Sequence, residues 1–94
     1  MRNIYVQDEI RFVELTEQEI KELQEITPER IWISKESMNK ISDILKLKET
    51  PTDELQPLRN SIVKLLCDDY ESEDNWTRMS MITCVIDNEV YDRI

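Results

Sequence analysis

Glycine is absent from this chain of 94 residues, although average usage would supply about six. Glycine provides the positive φ of many tight turns and helix C-caps, so its absence argues against an all-β sandwich. It favours helices joined by turns of Asn, Asp, Ser and Pro. It also excludes the P-loop, the dinucleotide-binding fingerprint and the GxSxG nucleophile elbow, which need glycine where the backbone approaches a ligand closely.

Histidine is absent too. The usual general base near neutral pH, the Ser-His and Cys-His nucleophile pairs and most zinc and di-iron sites are lost with it. Cys67 and Cys84 fall in apolar helical registers, where we expect buried, reduced thiols. We therefore predict no catalytic, cofactor-binding or metal-ligating residue and no enzyme. A metal-dependent enzyme built from acidic residues is a remote alternative.

Long apolar runs are missing as well. No hydrophobic segment follows the N-terminal residues, and no stretch reaches the roughly 18 apolar residues of a membrane span. The sequence therefore predicts one small acidic domain over residues 1–94, located in the cytoplasm of a host cell and without membrane contact.

What the sequence has in excess is negative charge, with a net charge of −9 that is unevenly spread. Residues 1–27 carry a net charge of −4, residues 28–48 of +2 and residues 49–94 of −7. Such a chain is repelled by phosphate at long range and attracted to a basic surface. We therefore expect a protein partner with a basic surface and no direct binding of nucleic acid.

The first third of the chain reads as short strands and one helix. β-branched and aromatic residues at 3–6 and 10–15 predict a β-hairpin, with a helical turn after Asp8 as the alternative for the second run. Thr16 and Glu19 form a capping box that begins a helix. The β-prone residues around Trp32 then favour a third strand over residues 30–34.

The remainder reads as helices. Ser34 caps a predicted helix over residues 35–48, residues 49–53 are a linker, and Pro57 begins a helix that runs to about residue 71. A last helix covers residues 75–92. Its middle, residues 79–86, is apolar on nearly every side, so a buried helix is favoured over a strand. The predicted fold is α+β and mostly helical, with a short N-terminal β-hairpin or small sheet, three to four helices and a C-terminal antiparallel helical hairpin. An all-α bundle is the alternative.

The candidate interaction residues are acidic or aromatic and flank that apolar middle. An EF-hand starting at Asp69 is ruled out, because Asp74 stands at the glycine position and Ser80 where a bidentate glutamate belongs. Tyr91 is expected at the surface and Trp76 in the core. The predicted partner-binding residues are Asp68, Asp69, Tyr70, Glu71, Glu73, Asp74, Glu89, Tyr91 and Asp92.

Together these features favour a non-catalytic inhibitor or regulator, of the kind that phages and mobile elements encode. Its carboxylates would imitate the phosphates of DNA and block the basic nucleic-acid-binding surface of a partner enzyme, as an anti-CRISPR or anti-restriction protein does. The alternative is a structural or oligomerisation module, a homodimer that pairs through the apolar C-terminal helix.

Overall fold

A β-hairpin opens the chain in the computed structural model, which describes residues 2–67 and 72–94. Strand β1 (Ile4–Gln7) pairs antiparallel with β2 (Ile10–Val13). The two-residue turn between them consists of Asp8 and Glu9, with φ of 52° and 68°. A type I′ hairpin turn needs positive φ at both positions, which glycine or asparagine usually supplies. Two acidic residues take that conformation here, and the predicted hairpin is confirmed.

Four α-helices follow the hairpin. They are α1 (Glu17–Gln24), α2 (Lys35–Leu45), α3 (Thr52–Cys67) and α4 (Glu73–Asp92), with one 3₁₀ turn, Leu47–Glu49, between α2 and α3. The described chain is 65% helix and 9% strand. The predicted α+β, mostly helical fold is thereby confirmed, and the C-terminal stretch is a helix rather than a strand.

The predicted starts of α1 and α2 are correct, whereas α4 begins at Glu73, two residues before the predicted start, with Ser72 as its cap. Thr16 accepts from the Glu19 amide at 3.1 Å while Glu19 Oε1 accepts from the Thr16 amide at 3.1 Å, which completes the capping box. Ser34 accepts from the Ser37 amide at 3.2 Å and begins α2. These bonds satisfy amides that have no partner inside the helix.

Several predictions about secondary structure are wrong. Residues 30–34 are not a strand; the carboxylate of Glu29 bonds the backbone and side chain of Ser34, and the segment stays irregular. Helix α3 begins five residues before Pro57, which lies inside it and is buried. The buried Leu55 and Leu58 on either side of the proline anchor this first part of α3 in the core, and this packing offsets the backbone hydrogen bond that proline cannot donate. The predicted linker is thus reduced to residues 50–51, and α2 ends at Leu45 instead of residue 48.

Arginine side chains bond carbonyl groups at or near the ends of helical segments. Arg2 donates to the carbonyl of Leu45 at 2.9 Å, at the end of α2. Arg78 donates to Ile26 O at 2.8 Å, just beyond α1, and Arg93 donates to Leu47 O at 2.7 Å. Leu47 O also accepts from the Thr50 amide at 3.2 Å, and α2 ends on a left-handed residue, Lys46, with a φ of 52°. The guanidinium groups therefore add to the local caps at these ends.

Helices α3 and α4 run antiparallel and form most of the core. Arg59 of α3 bonds Asp87 of α4 at 2.9 Å, and Arg93 beyond α4 reaches Thr52 at the start of α3. The predicted helical hairpin is therefore present in the described residues. Fully buried side chains come from every layer: Val13, Leu23, Ile41, Leu45, Leu47, Leu55, Leu58, Ile62, Ile82 and Ile86.

The apolar middle of α4 is covered by the chain itself. Met79, Met81, Ile82, Val85 and Ile86 are all buried against the core. The side of the helix that faces solvent instead carries Ser80 and Cys84. Cys84 is thus exposed and Cys67 half-buried, so the expected burial of both cysteines is wrong, although both are free thiols.

Candidate protein-interaction surface

The predicted partner-binding residues do not form one continuous surface. Glu73 and Asp74 are exposed in the first turn of α4, and Tyr91 and Asp92 are exposed in its last turn. At 1.5 Å per residue the two pairs lie roughly 25 Å apart along the helix. Asp68, Asp69, Tyr70 and Glu71 lie outside the described residues.

Glu89 differs from the exposed carboxylate that we expected. Its exposed fraction is 7%, and its two oxygens pair with Lys48 Nζ at 2.9 Å and with Arg93 at 3.1 Å. The hydrogen bond from Lys48 holds the pKa of Glu89 below its ordinary value, against the opposing effect of burial. Glu89 therefore belongs to an internal ion-pair network that fastens the end of α4 to the 3₁₀ turn.

Two exposed tryptophan side chains lie near the start of α4. Trp32 is 73% exposed and Trp76 is 54% exposed, so the expected burial of Trp76 is wrong. Ile31, beside Trp32, is 85% exposed. We call these three residues the tryptophan patch. Both tryptophans line one groove of about 420 Å³, whose floor includes Ile33 and Met81.

Glu29 fixes the segment that carries Ile31 and Trp32. One carboxylate oxygen accepts from the Ser34 amide at 2.6 Å, and the other accepts from the hydroxyls of Ser37 at 2.5 Å and Ser34 at 3.0 Å. The hydroxyl of Ser37 and the amide of Ser34 hold the pKa of Glu29 below its ordinary value. The carboxylate thereby locks the backbone on both sides of Trp32 to the start of α2.

Two arginines fasten the same segment to α4. Arg30 bonds Glu73 at 2.6 Å and Asp74 at 2.6 Å, and Arg78 joins Ile26 O to Asn75, which lies one residue before Trp76. The segment from residue 26 to 34 is therefore held to the first turns of α4 although it has no regular structure. Trp32 and Trp76 are presented by a braced surface.

The charge around the tryptophan patch is negative. Glu73 and Asp74 outnumber Arg30 at the rim, and Glu29 adds a third carboxylate to the groove. In the described chain as a whole, exposed acidic side chains outnumber exposed basic ones, partly because four arginines are half-buried. An aromatic surface with an acidic rim is complementary to a basic one.

A second group of exposed apolar side chains lies on the hairpin: Ile4, Tyr5, Val6 and Ile10. Tyr5 stacks on Phe12 with ring centroids 5.3 Å apart, and the ammonium of Lys64 sits 4.8 Å from the Phe12 ring centroid. This surface has no tryptophan, and the cations Arg11 and Lys64 border it. The acidic turn residues Asp8 and Glu9 lie beside it as well, so charges of both signs border this surface.

The structure gives two further findings on chemistry and location. Among residues 2–67 and 72–94, no three acidic or cysteine side chains converge closely enough to hold a metal ion. Within the same residues, no helix has both the length and the apolar character needed to cross a bilayer.

The sequence contains the residues of the tryptophan patch, but it did not predict that their side chains are exposed. Period-two alternation in a strand would have placed Ile31 and Ile33 on one face and Trp32 on the other. The available signal was the polar surrounding of Trp76, which lies between Asn75 and Thr77 in the first turns of α4. Comparison of the chain with protein-family models, with characterised proteins and with solved structures gave no match, so its function has to be inferred from its own residues.

Proposed function

We propose that this protein is a non-catalytic inhibitor or regulator that binds a partner protein through the tryptophan patch. The observation that carries the proposal is the exposure of two tryptophans on one groove beside an acidic rim. Exposed clusters of large apolar side chains on a small protein mark sites of interaction. Tryptophan is among the residues that contribute most to binding energy at protein interfaces.

The bracing of the segment from residue 26 to 34 supports the same proposal. Ordering a loop on binding consumes part of the interaction free energy, and a loop that is already fixed avoids that loss. Here Glu29 and Arg30 hold the backbone around Trp32 through bonds of 2.6 Å. The exposed ring is therefore ready to enter a pocket of the partner.

The acidic surface defines the kind of partner. Exposed carboxylates accelerate the approach of a basic surface and repel nucleic acid. We propose that the partner's basic surface is the site where it binds nucleic acid, and that the protein blocks this site inside a host cell. Asp68, Asp69 and Glu71 directly precede the rim residues in sequence and add to the negative charge of this part of the chain.

Affinity capture from a host-cell lysate tests the proposal when wild-type protein is compared with the double variant Trp32→Ala, Trp76→Ala. Both residues are more than half exposed, so the variant should keep its fold. We expect a host protein that the wild type retains and the double variant loses, with duplex DNA displacing it from the wild type. Mass spectrometry identifies the retained protein.

Tyr91→Ala is the matched control, because Tyr91 is an aromatic side chain that is 76% exposed at the far end of α4. This variant should retain the partner as the wild type does. Equal retention by the double variant, or loss only with Tyr91→Ala, would disprove binding through the tryptophan patch. Failure of DNA to compete would disprove the part of the proposal that concerns the nucleic-acid site.

A further inference from the structure

A second cleft lies away from the tryptophan patch. It has a volume of about 830 Å³ and opens between the residues that follow the hairpin, helices α1 and α2 and the start of α3. Leu15, Ile44 and Pro51 supply apolar wall, and Glu54 of α3 lines the cleft as well. Nothing in the proposed partner-binding function uses this cleft.

Glu54 is the unusual residue of this cleft. It is 2% exposed, yet its carboxylate has no hydrogen-bond or ion-pair partner within residues 2–67 and 72–94. Within the described part of the chain, the one fully enclosed side-chain oxygen or nitrogen without a hydrogen bond is Oε2 of Glu19, which forms an ion pair with Arg2. The Glu54 oxygens are therefore not sealed, and they face the cleft. A charged donor bound in the cleft would therefore meet a carboxylate that forms no bond within the described residues.

The cleft around Glu54 has an excess of acidic groups. Arg2 is already engaged, because it forms a two-pronged ion pair with Glu19 and donates to Leu45 O. Lys46 is the one other cation that lines the described cleft. The lining contains four further carboxylates, which outnumber this cation: Glu14, Glu22, Asp43 and Glu49.

We propose that this cleft binds an aliphatic polyamine, with one ammonium group on Glu54. Within the described residues the carboxylates do not converge as a metal site requires. A polyamine instead carries several ammonium groups separated by methylene chains. One ammonium meets the buried carboxylate, others reach acids at the mouth of the cleft, and the methylenes lie against Leu15 and Ile44.

Isothermal titration of the protein with spermidine tests this site. We expect one molecule to bind the wild type, and Glu54→Gln to weaken binding by about tenfold or more because the charged acceptor is lost. Glu36→Gln is the control: it removes the same charge from an exposed residue of α2 outside the cleft. Its affinity should stay within about twofold of the wild type.

Three results would overturn the proposal. The first is absence of spermidine binding to the wild type. The second is equal weakening of binding by Glu54→Gln and Glu36→Gln, because it would indicate general attraction to an acidic protein. The third is displacement of spermidine by Mg²⁺ at matched ionic strength. If Glu54→Gln fails to fold, the double variant Glu22→Gln, Asp43→Asn tests the proposed site. It leaves the buried carboxylate in place and should weaken spermidine binding several-fold, and unchanged affinity would also overturn the site.

Discussion

Three arginines tie carbonyl groups near the ends of helical segments to distant parts of the chain. Arg2, Arg78 and Arg93 each donate to carbonyls at or beyond a helix end, and each carbonyl belongs to a distant part of the chain. A left-handed cap satisfies such groups locally, as Lys46 does for Asp43 O and Ser42 O at the end of α2. The arginines also tie separate elements together and draw positive charge away from the surface.

Arg93 offers the clearest test of this use of arginine. Its guanidinium bonds Leu47 O and Thr50 O at 2.7 Å each and also pairs with Glu89. Arg93→Ala should lower the free energy of unfolding by about 2 kcal/mol, because two carbonyls and one buried carboxylate lose a charged donor. Urea denaturation monitored by circular dichroism measures the change.

Two further variants distinguish this bonding from charge alone. Arg93→Lys should recover only a small part of the loss, since one ammonium does not span both carbonyls as the planar guanidinium does. Arg59→Ala, which breaks the exposed ion pair with Asp87, should cost about 0.5 kcal/mol or less. Equal losses in Arg93→Ala and Arg59→Ala would contradict the capping role.

Glu89 and Glu19 predict how stability depends on pH. For Glu19, burial raises the pKa, but the hydrogen bonds from Arg2 and from the Thr16 amide together lower it by more. The carboxyls of Glu19 and Glu89 therefore both have a pKa in the folded state below 4.5. Such a group binds its proton more weakly in the folded state. Its stabilising effect is complete above the unfolded pKa and is lost as the pH falls through the folded pKa.

The free energy of unfolding should therefore decrease below about pH 4.5, and Glu89→Gln should show a smaller decrease than the wild type. Urea denaturation between pH 7 and pH 3 checks this, in dilute solution because the isoelectric point of about 4.4 falls in that range. Lys48→Gln, which removes the first partner of Glu89, should also reduce the acid sensitivity. Identical pH dependence in wild type and Glu89→Gln would rule out this linkage.

At the scale of elements, the sequence was sufficient wherever a local pattern decides the structure. The capping residues Thr16 and Ser34 start α1 and α2 as predicted, because a cap acts within four residues of itself. The segment around Trp32 was misread because its β-prone residues are held by Glu29, Arg30 and Arg78, whose bonds reach other elements. Pro57 was misread for a similar reason: burial of its neighbours outweighs a missing backbone bond.

The prediction at the scale of elements concerns the packing of helix α4. Ile86 is 0% exposed and lies against the chain's own core, whereas Cys84, two residues earlier, is exposed. Ile86→Ala should therefore lower the free energy of unfolding by about 3 kcal/mol in a concentration-independent manner. Cys84→Ala should change it by about 0.5 kcal/mol at most.

Denaturation at two protein concentrations distinguishes this from the homodimer hypothesis. If the middle of α4 paired with a second copy, the loss caused by Ile86→Ala would depend on protein concentration. A concentration-dependent loss, or equal effects of Ile86→Ala and Cys84→Ala, would contradict the packing of α4 described here.

For the molecule as a whole, the sequence predicted the charge of the surface but not the position of the candidate site. Net charge follows from composition, and the acidic exterior was expected. Exposure of Trp32 and Trp76 depends on long-range bonds from Arg30 and Arg78, which no local pattern shows. The predicted residues Glu73 and Asp74 lie at the rim of the groove, while Tyr91 and Asp92 lie at the opposite end of α4.

The two tryptophans are the only ones in the chain, so each can be observed separately in solution. The most direct test is fluorine NMR of protein labelled with 5-fluorotryptophan, with the signals assigned by Trp32→Phe and Trp76→Phe and followed as the unlabelled captured partner is added. We predict that both signals lie at solvent-exposed positions in the free protein and that both shift when the partner binds. Binding that leaves both signals unchanged would show that the partner contacts another surface and would contradict the proposed function.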